Sequence, residues 1–324
     1  MIKSLCAIVG VLVLGLGVVG CDESKSAGKD EAGPIQIQLN WKAEPQFGGF
    51  YAAREVDPSL KLDVREGGAG IATIDMAAAG TVPFAIVSGS ELVVARSKGK
   101  DVVAIFAVYQ DDPHGLMVPA SRDVKSIDDI FKSEGTLAIE RGLPYAVFLQ
   151  KKYGFDKLKL VPSPYGDFTQ FRTTSNYAMQ VFVTSEPLSA KKLGLDARTF
   201  PVGDAGWNEY STVLVTNRKY LSEHPDTVMQ VVKAVRAGWE GYMKAPSSTN
   251  AKMGEINKAM DAATFADSAQ AQEPLILTGD AMTLGVGAMT KEKWQVLVNR
   301  LVDLKLIDKP VAVDELFIDP ATLK

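Results

Sequence analysis

Leu39-Asn40-Trp41-Lys42-Ala43-Glu44-Pro45-Gln46-Phe47-Gly48-Gly49-Phe50-Tyr51-Ala52-Ala53 is the stretch on which the fold turns. Upstream of it, Ile35, Ile37 and Leu39 alternate with Gln36, Gln38 and Asn40, the period of a strand. Downstream, Gly48-Gly49 breaks the turn and Phe50 to Arg54 restores helix formers. A strand, a short polar turn and a helix make half of a βα unit. In open α/β sheets ligands sit outside the carboxyl ends of the strands. Trp41 at that point is either one wall of a pocket or, with Phe47, a core aromatic capping a sheet.

The remaining chain continues the alternation of strand-like and helix-like segments, as expected of βα units on mainly parallel sheets. Strands are expected at 60–64, 82–87, 102–109, 136–140, 159–161, 180–183 and 212–216. Helices are expected at 71–79, 91–97, 126–130, 145–153, 167–172 and 186–193. A long helix at 226–243 carries Val228, Val232, Val235, Trp239 and Tyr242 on one face, which predicts a core contact. A second at 291–304 carries Trp294, Leu297, Leu301 and Leu304, with Thr290 as N-cap.

An apolar strand followed by Asn40-Trp41, a short polar run, Gly48-Gly49 and Phe50-Tyr51-Ala52 resembles the opening of ABC-transporter substrate-binding proteins. The branch it resembles holds receptors for thiamine pyrimidine precursors, nitrate, sulfonates and taurine. The resemblance runs, with gaps, from Ile35 to the C-terminus. It implies a two-lobe α/β fold of the periplasmic-binding-protein type II class, each lobe a mainly parallel sheet with helices on both faces. It also implies two crossings between lobes, near 118–122 and 208–212. Lobe 1 would comprise 34–118 and 211–324, with the C-terminal helices packed on it, and lobe 2 would comprise 119–210.

At the start of the chain Lys3 precedes an uncharged apolar run from Leu5 to Val19, the size of a signal-peptide core and short of the roughly 20 residues that span a bilayer. Val18-Val19-Gly20-Cys21 resembles a bacterial lipoprotein cleavage box, so residues 1–20 are expected to be removed and Cys21 lipidated. Residues 21–33, rich in Ser, Lys, Asp, Glu and Gly, then form a tether. The two cysteines are Cys6 and Cys21, which leaves no disulfide for the mature chain. A net charge of −4 with mixed signs gives no nucleic-acid footprint. His114 and His224, the two histidines, lack a ligand cluster around them, so neither a metal nor a cofactor is expected.

Four glycine-bearing stretches suit the ends of strands or the starts of helices, where free N–H groups face a cleft. They are Gly67-Gly68-Ala69-Gly70, Ser88-Gly89-Ser90-Glu91, Arg141-Gly142-Leu143-Pro144-Tyr145 and Pro164-Tyr165-Gly166-Asp167-Phe168. The first has Thr73 where a dinucleotide fingerprint needs glycine, so it is taken as a tight turn. Ser88 and Tyr145 are either ligand contacts or plain helix-start residues.

By resemblance, Gln110 holds a position where the family often carries Gln, and Glu186-Pro187 matches a Glu-Pro that opens a helix in the second lobe. Glu186 as a first-turn acid is equally a partner of the helix dipole. Trp207 and Tyr210, beside the second crossing, are either ligand-stacking groups or hinge packing. The ligand-binding set expected is thus Trp41, Glu44, Gln46, Phe47, Tyr51, Ser88, Ser90, Gln110, Gly142, Tyr145, Tyr165, Glu186, Trp207 and Tyr210.

The function implied is that of a monomeric, exported receptor, lipid-anchored to the outer face of the cytoplasmic membrane. It would trap a small molecule between its lobes and deliver it to ABC permease and ATPase subunits. Pyrimidine-binding relatives tend to carry His where this chain has Phe47 and Asn where it has Glu44. A carboxylate at Glu44 or Glu186 suits an amine or amino-pyrimidine, and Arg141 is the one cation in the candidate stretches, so a flat heterocycle is expected over nitrate, a sulfonate or taurine. Pyrimidine synthases of the same fold carry a cysteine-rich motif that this chain lacks. A sensor domain of a signalling protein would need an output domain, which these residues do not contain.

Overall fold

Ile37, in the first strand β1 (Gln36–Gln38), and Leu39, just past its end, are fully buried in a computed structural model that describes residues 33–319 and 322. The leader, Cys21 and the tether lie outside the described residues. Among the described residues, ten strands form two five-stranded sheets. The first has the order β2-β1-β3-β10-β4, with β2 at Asp63–Arg65, β3 at Phe84–Val87, β4 at Val102–Tyr109 and β10 at Ser211–Asn217. The second has the order β7-β6-β8-β5-β9, with β5 at His114–Pro119, β6 at Gly135–Ala138, β7 at Leu158–Val161, β8 at Tyr177–Phe182 and β9 at Ala197–Pro201.

Both sheets are mixed, with four strands running one way, as expected of a mainly parallel sheet, and one strand running against them. β1 pairs in parallel with β2 and β3, whereas β10 runs antiparallel to β3 and β4. Likewise β6 is parallel to β7 and β8, and β5 is antiparallel to β8 and β9. The cause is connectivity. Strands that return through a helix can run side by side in one direction. By contrast, β5 and β10 arrive from the other sheet, start at the gap between the sheets and run away from it.

The first crossing also differs from the expected position. The chain leaves the first sheet after Tyr109 and enters the second at His114, so residues 110–113 make the connection and 118–122 lie within the second lobe. Pro113, Gly115 and Pro119 punctuate that strand and disguise it, while Leu116, Met117 and Val118 between them are fully buried. Strand β9, with Pro201 at its end and no fully buried residue, was equally unmarked in the sequence. The second crossing occupies 202–210.

Among the described residues, fourteen α-helices flank the sheets in chain order. They are α1 (Gly48–Val56), α2 (Thr73–Ala78), α3 (Gly89–Ser97), α4 (Ile127–Lys132), α5 (Pro144–Tyr153), α6 (Thr169–Thr173) and α7 (Glu186–Lys192), then α8 (Arg218–Glu223), α9 (Pro225–Lys244), α10 (Ser247–Ile256), α11 (Ala262–Ala271), α12 (Glu273–Ile276), α13 (Ala281–Leu284) and α14 (Lys291–Asp303). The expected stripe of α9 is buried throughout, and α9 packs on α1 while α14 packs on α3. Thr290 stands at the N-cap of α14 but makes no side-chain cap, and its hydroxyl donates to Asp280 Oδ2 at 2.9 Å. No helix among the described residues is long and apolar enough to cross a membrane.

Gly48-Gly49 does not break the chain; it is the buried first turn of α1. A Cβ on Gly49 would stand 2.2 Å from the Trp239 ring, and one on Gly48 would stand 2.1 Å from the Tyr242 ring. Facing them, a Cβ on Gly238 would stand 2.3 Å from the Gly49 carbonyl oxygen. The glycines are there so that two helices can touch backbone to backbone, which fixes the loop that carries Trp41 and Glu44. Backbone cannot swing aside as a side chain can, so Gly238→Ala is expected to cost about 1–3 kcal/mol by overpacking. The midpoint of urea unfolding measures this, and a variant as stable as the parent would show that the helices can part freely.

Candidate functional site

The ends of the strands converge on a cavity of about 520 Å³ lined by residues of both sheets. Asn40 and Trp41 follow β1, Ser88 follows β3, Glu140 follows β6, Ser163 follows β7, and Phe182 ends β8. His114 and Ser211 are the first residues of the strands that enter from the gap. All four glycine-bearing stretches reach it: Gly68 to Gly70, Ser88 and Ser90, Leu143 to Tyr145, and Tyr165 with Gly166.

Nine of the expected residues line this cavity: Trp41, Glu44, Gln46, Phe47, Ser88, Ser90, Tyr145, Tyr165 and Glu186. Five do not. Tyr51 is 4% exposed within the core of the first lobe. Gln110 is buried and donates to the Ala288 carbonyl at 3.0 Å. Gly142, at a φ of 96°, supplies the turn ahead of Leu143 and does not reach the cavity. Trp207 is buried with its indole N–H on Asp112 Oδ2 at 3.0 Å, so it is hinge packing. Tyr210 is buried too; its hydroxyl accepts from the Thr290 amide at 2.9 Å, and Lys293 Nζ lies 4.6 Å from its ring centroid.

Trp41 and Tyr165 come from different lobes, and their ring centroids are 5.4 Å apart at 34°. At that spacing they pack on each other, with no room for a third ring between them, and make one aromatic wall. Phe47 is 1% exposed and serves as core and cavity floor at once. Four described non-glycine residues have positive φ, and two of them, Tyr165 at 46° and Thr212 at 53°, line the cavity. Such backbone costs of order 1–3 kcal/mol and persists where surrounding structure holds it, often at binding sites.

The lining is acidic. Glu44, Glu91, Glu140, Glu186, Glu209 and Asp261 face it against Lys42, Lys192 and His114, with no arginine among the described lining residues. Arg141 lies outside it. Some of these acids have partners within the protein. Glu91 closes a capping box with Ser88, and Glu209 accepts from the Ser90 amide at 2.5 Å and from the Ser90 hydroxyl at 3.1 Å. Glu186 turns back to accept from the Phe182 amide at 2.8 Å, so its helix-start role and its place in the cavity coexist.

Burial raises the Glu186 and Glu209 carboxyls above their ordinary range, with Asp112 adding to the effect on Glu209. Burial, with the Glu186 charge behind it, pushes Glu44 up to about 8 despite a hydrogen bond from the Trp41 side chain.

His114 is the residue that sequence reasoning set aside and the structure places at the centre. Its ring stacks on Tyr145 at 4.5 Å and meets Phe182 edge-on at 4.7 Å. Its Nδ1 lies 2.6 Å from Asp112 Oδ1. Gln180 was also missed. Its Oε1 accepts from the Glu140 amide at 2.6 Å and the Tyr145 hydroxyl at 3.0 Å. Neither carries a local motif, since both become site residues only through the pairing of β5 with β8. No cluster of metal-ligand type occurs among the described residues.

A model of the NMT1/THI5-like family matches residues 44–249, which span both lobes and most of the cavity lining. The chain belongs to that family. A formylaminopyrimidine-binding protein of Halalkalibacterium halodurans is 20% identical over 341 residues, covering 96% of this chain and 97% of that protein. Among solved structures, the periplasmic aliphatic sulphonate binding protein SsuA of Escherichia coli superimposes with a TM-score of 0.66 at 13% identity, covering 89% of this chain and 92% of that one. The alkanesulfonate-binding SsuA of Xanthomonas axonopodis pv. citri, bound to MOPS, gives 0.63 at 14% identity, with coverage of 88% and 98%. These likenesses establish the two-lobe periplasmic-binding-protein fold for this member of the family.

Two outcomes follow from the charges. Glu44 keeps its proton up to about pH 8 in the fold, well above the ordinary range of a glutamate carboxyl. The fold therefore loses stability as pH rises through that window. Glu44→Gln is expected to match the parent melting temperature at pH 5 and exceed it at pH 9, and a gap that does not change with pH would contradict the burial argument.

Across the cleft mouth, Lys192 of α7 reaches Thr264 Oγ1 at 3.0 Å, Asp267 at 3.4 Å and Asp261 at 3.5 Å, on and beside α11. Half-exposed pairs of this kind contribute about 0.2–1 kcal/mol. Lys192→Ala should enlarge the radius of gyration of the empty protein by X-ray scattering at low salt and not at high salt. Identical curves at low salt would show that the pair does not hold the lobes.

Proposed function

We propose that the protein is the substrate-binding component of an ABC importer and that its solute is a flat, neutral or cationic heterocycle of the thiamine pyrimidine-precursor class. It is a binding protein and not an enzyme: it captures the solute between the lobes and hands it to the permease. The observation that carries this reading is the cavity itself, with an aromatic wall of Trp41 and Tyr165 set beside an excess of carboxylates and no lining arginine. A π-face suits a planar ring, and the oxygens of buried acids accept from amino groups, whereas a bound anion would raise further the cost of ionising those acids. The formylaminopyrimidine-binding relative supports the same ligand class. Export and anchoring through a lipidated Cys21 complete the proposal, placing the receptor at the outer face of the cytoplasmic membrane.

The test is a thermal-shift and calorimetric screen of the chain lacking residues 1–21, with hydroxymethylpyrimidine, formylaminopyrimidine, nitrate, taurine and methanesulfonate. Ligand at one hundred times its Kd stabilises by about 2.7 kcal/mol, enough to raise the melting temperature by several degrees. A pyrimidine is expected to do so, and Trp41→Ala should weaken its binding by about 0.5–1.5 kcal/mol or more as stacking is lost. Stabilisation by nitrate, taurine or the sulfonate alone would refute the heterocycle reading.

A further inference from the structure

His114 stands where the cavity meets the hinge. Asp112 and His114 belong to the first interlobe connection and the strand it opens, and Trp207 and Asn208 belong to the second connection. The Asp112 carboxylate, whose side chain is 0% exposed, accepts from the Trp207 indole at 3.0 Å, from the His114 amide at 2.9 Å and from His114 Nδ1 at 2.6 Å. Its own amide donates to Asn208 Oδ1 at 2.8 Å, and Asn208 Nδ2 donates to Asp111 Oδ1 at 2.6 Å. The His114 ring lines the cavity, clamped by Tyr145 and Phe182, and no hydrogen bond within the described residues engages its Nε2.

Acceptors lie close by. His114 is the direct cross-strand partner of Phe182, whose amide holds the Glu186 carboxylate, and Glu209 follows Asn208 in the second connection. Two acids beside an imidazole that is already committed at Nδ1 present both hydrogen-bonding senses at one place.

We propose that His114 reads the ligand directly: its Nε2–H donates to an acceptor on the ligand edge while Glu186 and Glu209 accept from an adjoining amino group, and Asp112 positions the imidazole for this. The compound selected carries a donor and an acceptor side by side, as the amino group and neighbouring ring nitrogen of an aminopyrimidine do. A simple amine offers nothing to His114, and a sulfonate offers nothing to the acids. This inference rests on the proposed heterocycle receptor and deepens it.

Protonation supports the assignment of the donor. Burial alone would lower His114, but Asp112, with Glu209 and Glu186 behind it, outweighs burial and holds the imidazole above its ordinary value. Glu186 on α7, Glu209 on the second connection, Tyr145 on α5 and Asp112 are the titratable groups that face it. In the neutral ring Nε2 has no proton and would oppose a ligand acceptor. Affinity for an aminopyrimidine is therefore expected to fall as pH rises through the His114 transition. Ionisation of the carboxylates would by itself strengthen the binding of an amine, which is the opposite sign.

The experiment is calorimetric titration of the chain lacking residues 1–21 with hydroxymethylpyrimidine, benzylamine and methanesulfonate, across pH 6 to 9. His114→Phe keeps the aromatic packing and removes the donor, and it should weaken hydroxymethylpyrimidine binding about tenfold to a hundredfold, as for loss of a buried charged hydrogen bond. Benzylamine, a cation relieved of a positive neighbour, should bind to this variant no more weakly than to the parent. Asp112→Asn should move the pH at which pyrimidine affinity falls to a lower value, a change that a purely structural role would not produce.

A parent protein that binds hydroxymethylpyrimidine equally well after His114→Phe would overturn this inference and leave the proposed function standing. A parent that binds no pyrimidine would overturn the proposed function and this inference with it. An unmoved pH midpoint in Asp112→Asn would remove the positioning role of Asp112.

Discussion

A buried carboxylate cannot be left without partners, and Asp112 finds all of its partners in the two connections between the lobes. Removing a charge from water costs several kcal/mol unless hydrogen bonds replace the lost hydration. Three bonds to its oxygens come from Trp207, on the second connection, and from His114, which opens the strand after the first. This draws the two crossings into one hinge and fixes where one lobe can turn against the other. Trp207, which sequence alone allowed as a stacking platform, is consumed by that requirement. The strand order follows the same logic, because β5 and β10 must both begin at the hinge and run outward from it.

The cavity beyond the hinge resists ionisation of its acids. Glu44, Glu186 and Glu209 are all held above their ordinary titration range by burial, and they share one small volume with a single imidazole. A ligand that donates hydrogen bonds, or brings positive charge, relieves the cost of ionising them. An anion adds to it. Charge therefore sets which class of solute the empty receptor tolerates, and the aromatic wall sets its shape. Because Trp41 belongs to one lobe and Tyr165 to the other, that wall is complete only when the lobes are together. This gives closure a direct link to occupancy: a solute that bridges both lobes favours the state in which the wall exists.

Much of this was legible in the sequence, and the exceptions have physical causes. The helical stripe of Val228, Val232, Val235, Trp239 and Tyr242 predicted its own burial, because period and composition agree. The strand ends carrying Trp41, Ser88 and Tyr165 could be placed at a cleft because strand-to-helix turns face one way in this fold class. Gly48-Gly49 was misleading, since a close helix contact and a chain break use the same residue and only the facing Gly238 tells them apart. β5 was hidden by its prolines and glycine. With it hidden, His114 and Gln180 had no visible partners, since cross-strand pairing joins residues 114 and 182 that no short window contains. Tyr51 and Gln110 lie beside the site in sequence but are directed into the core, a matter of side-chain direction that motif likeness does not encode.

The most direct measurement is a crystal structure of the protein lacking residues 1–21, grown with saturating hydroxymethylpyrimidine. The account predicts density for one planar ring inside the cavity, bounded by Trp41 and Tyr165, with its amino edge toward Glu186 or Glu209. A ring bound on the outer surface, or a cleft that stays empty while the compound saturates the protein in solution, would contradict it.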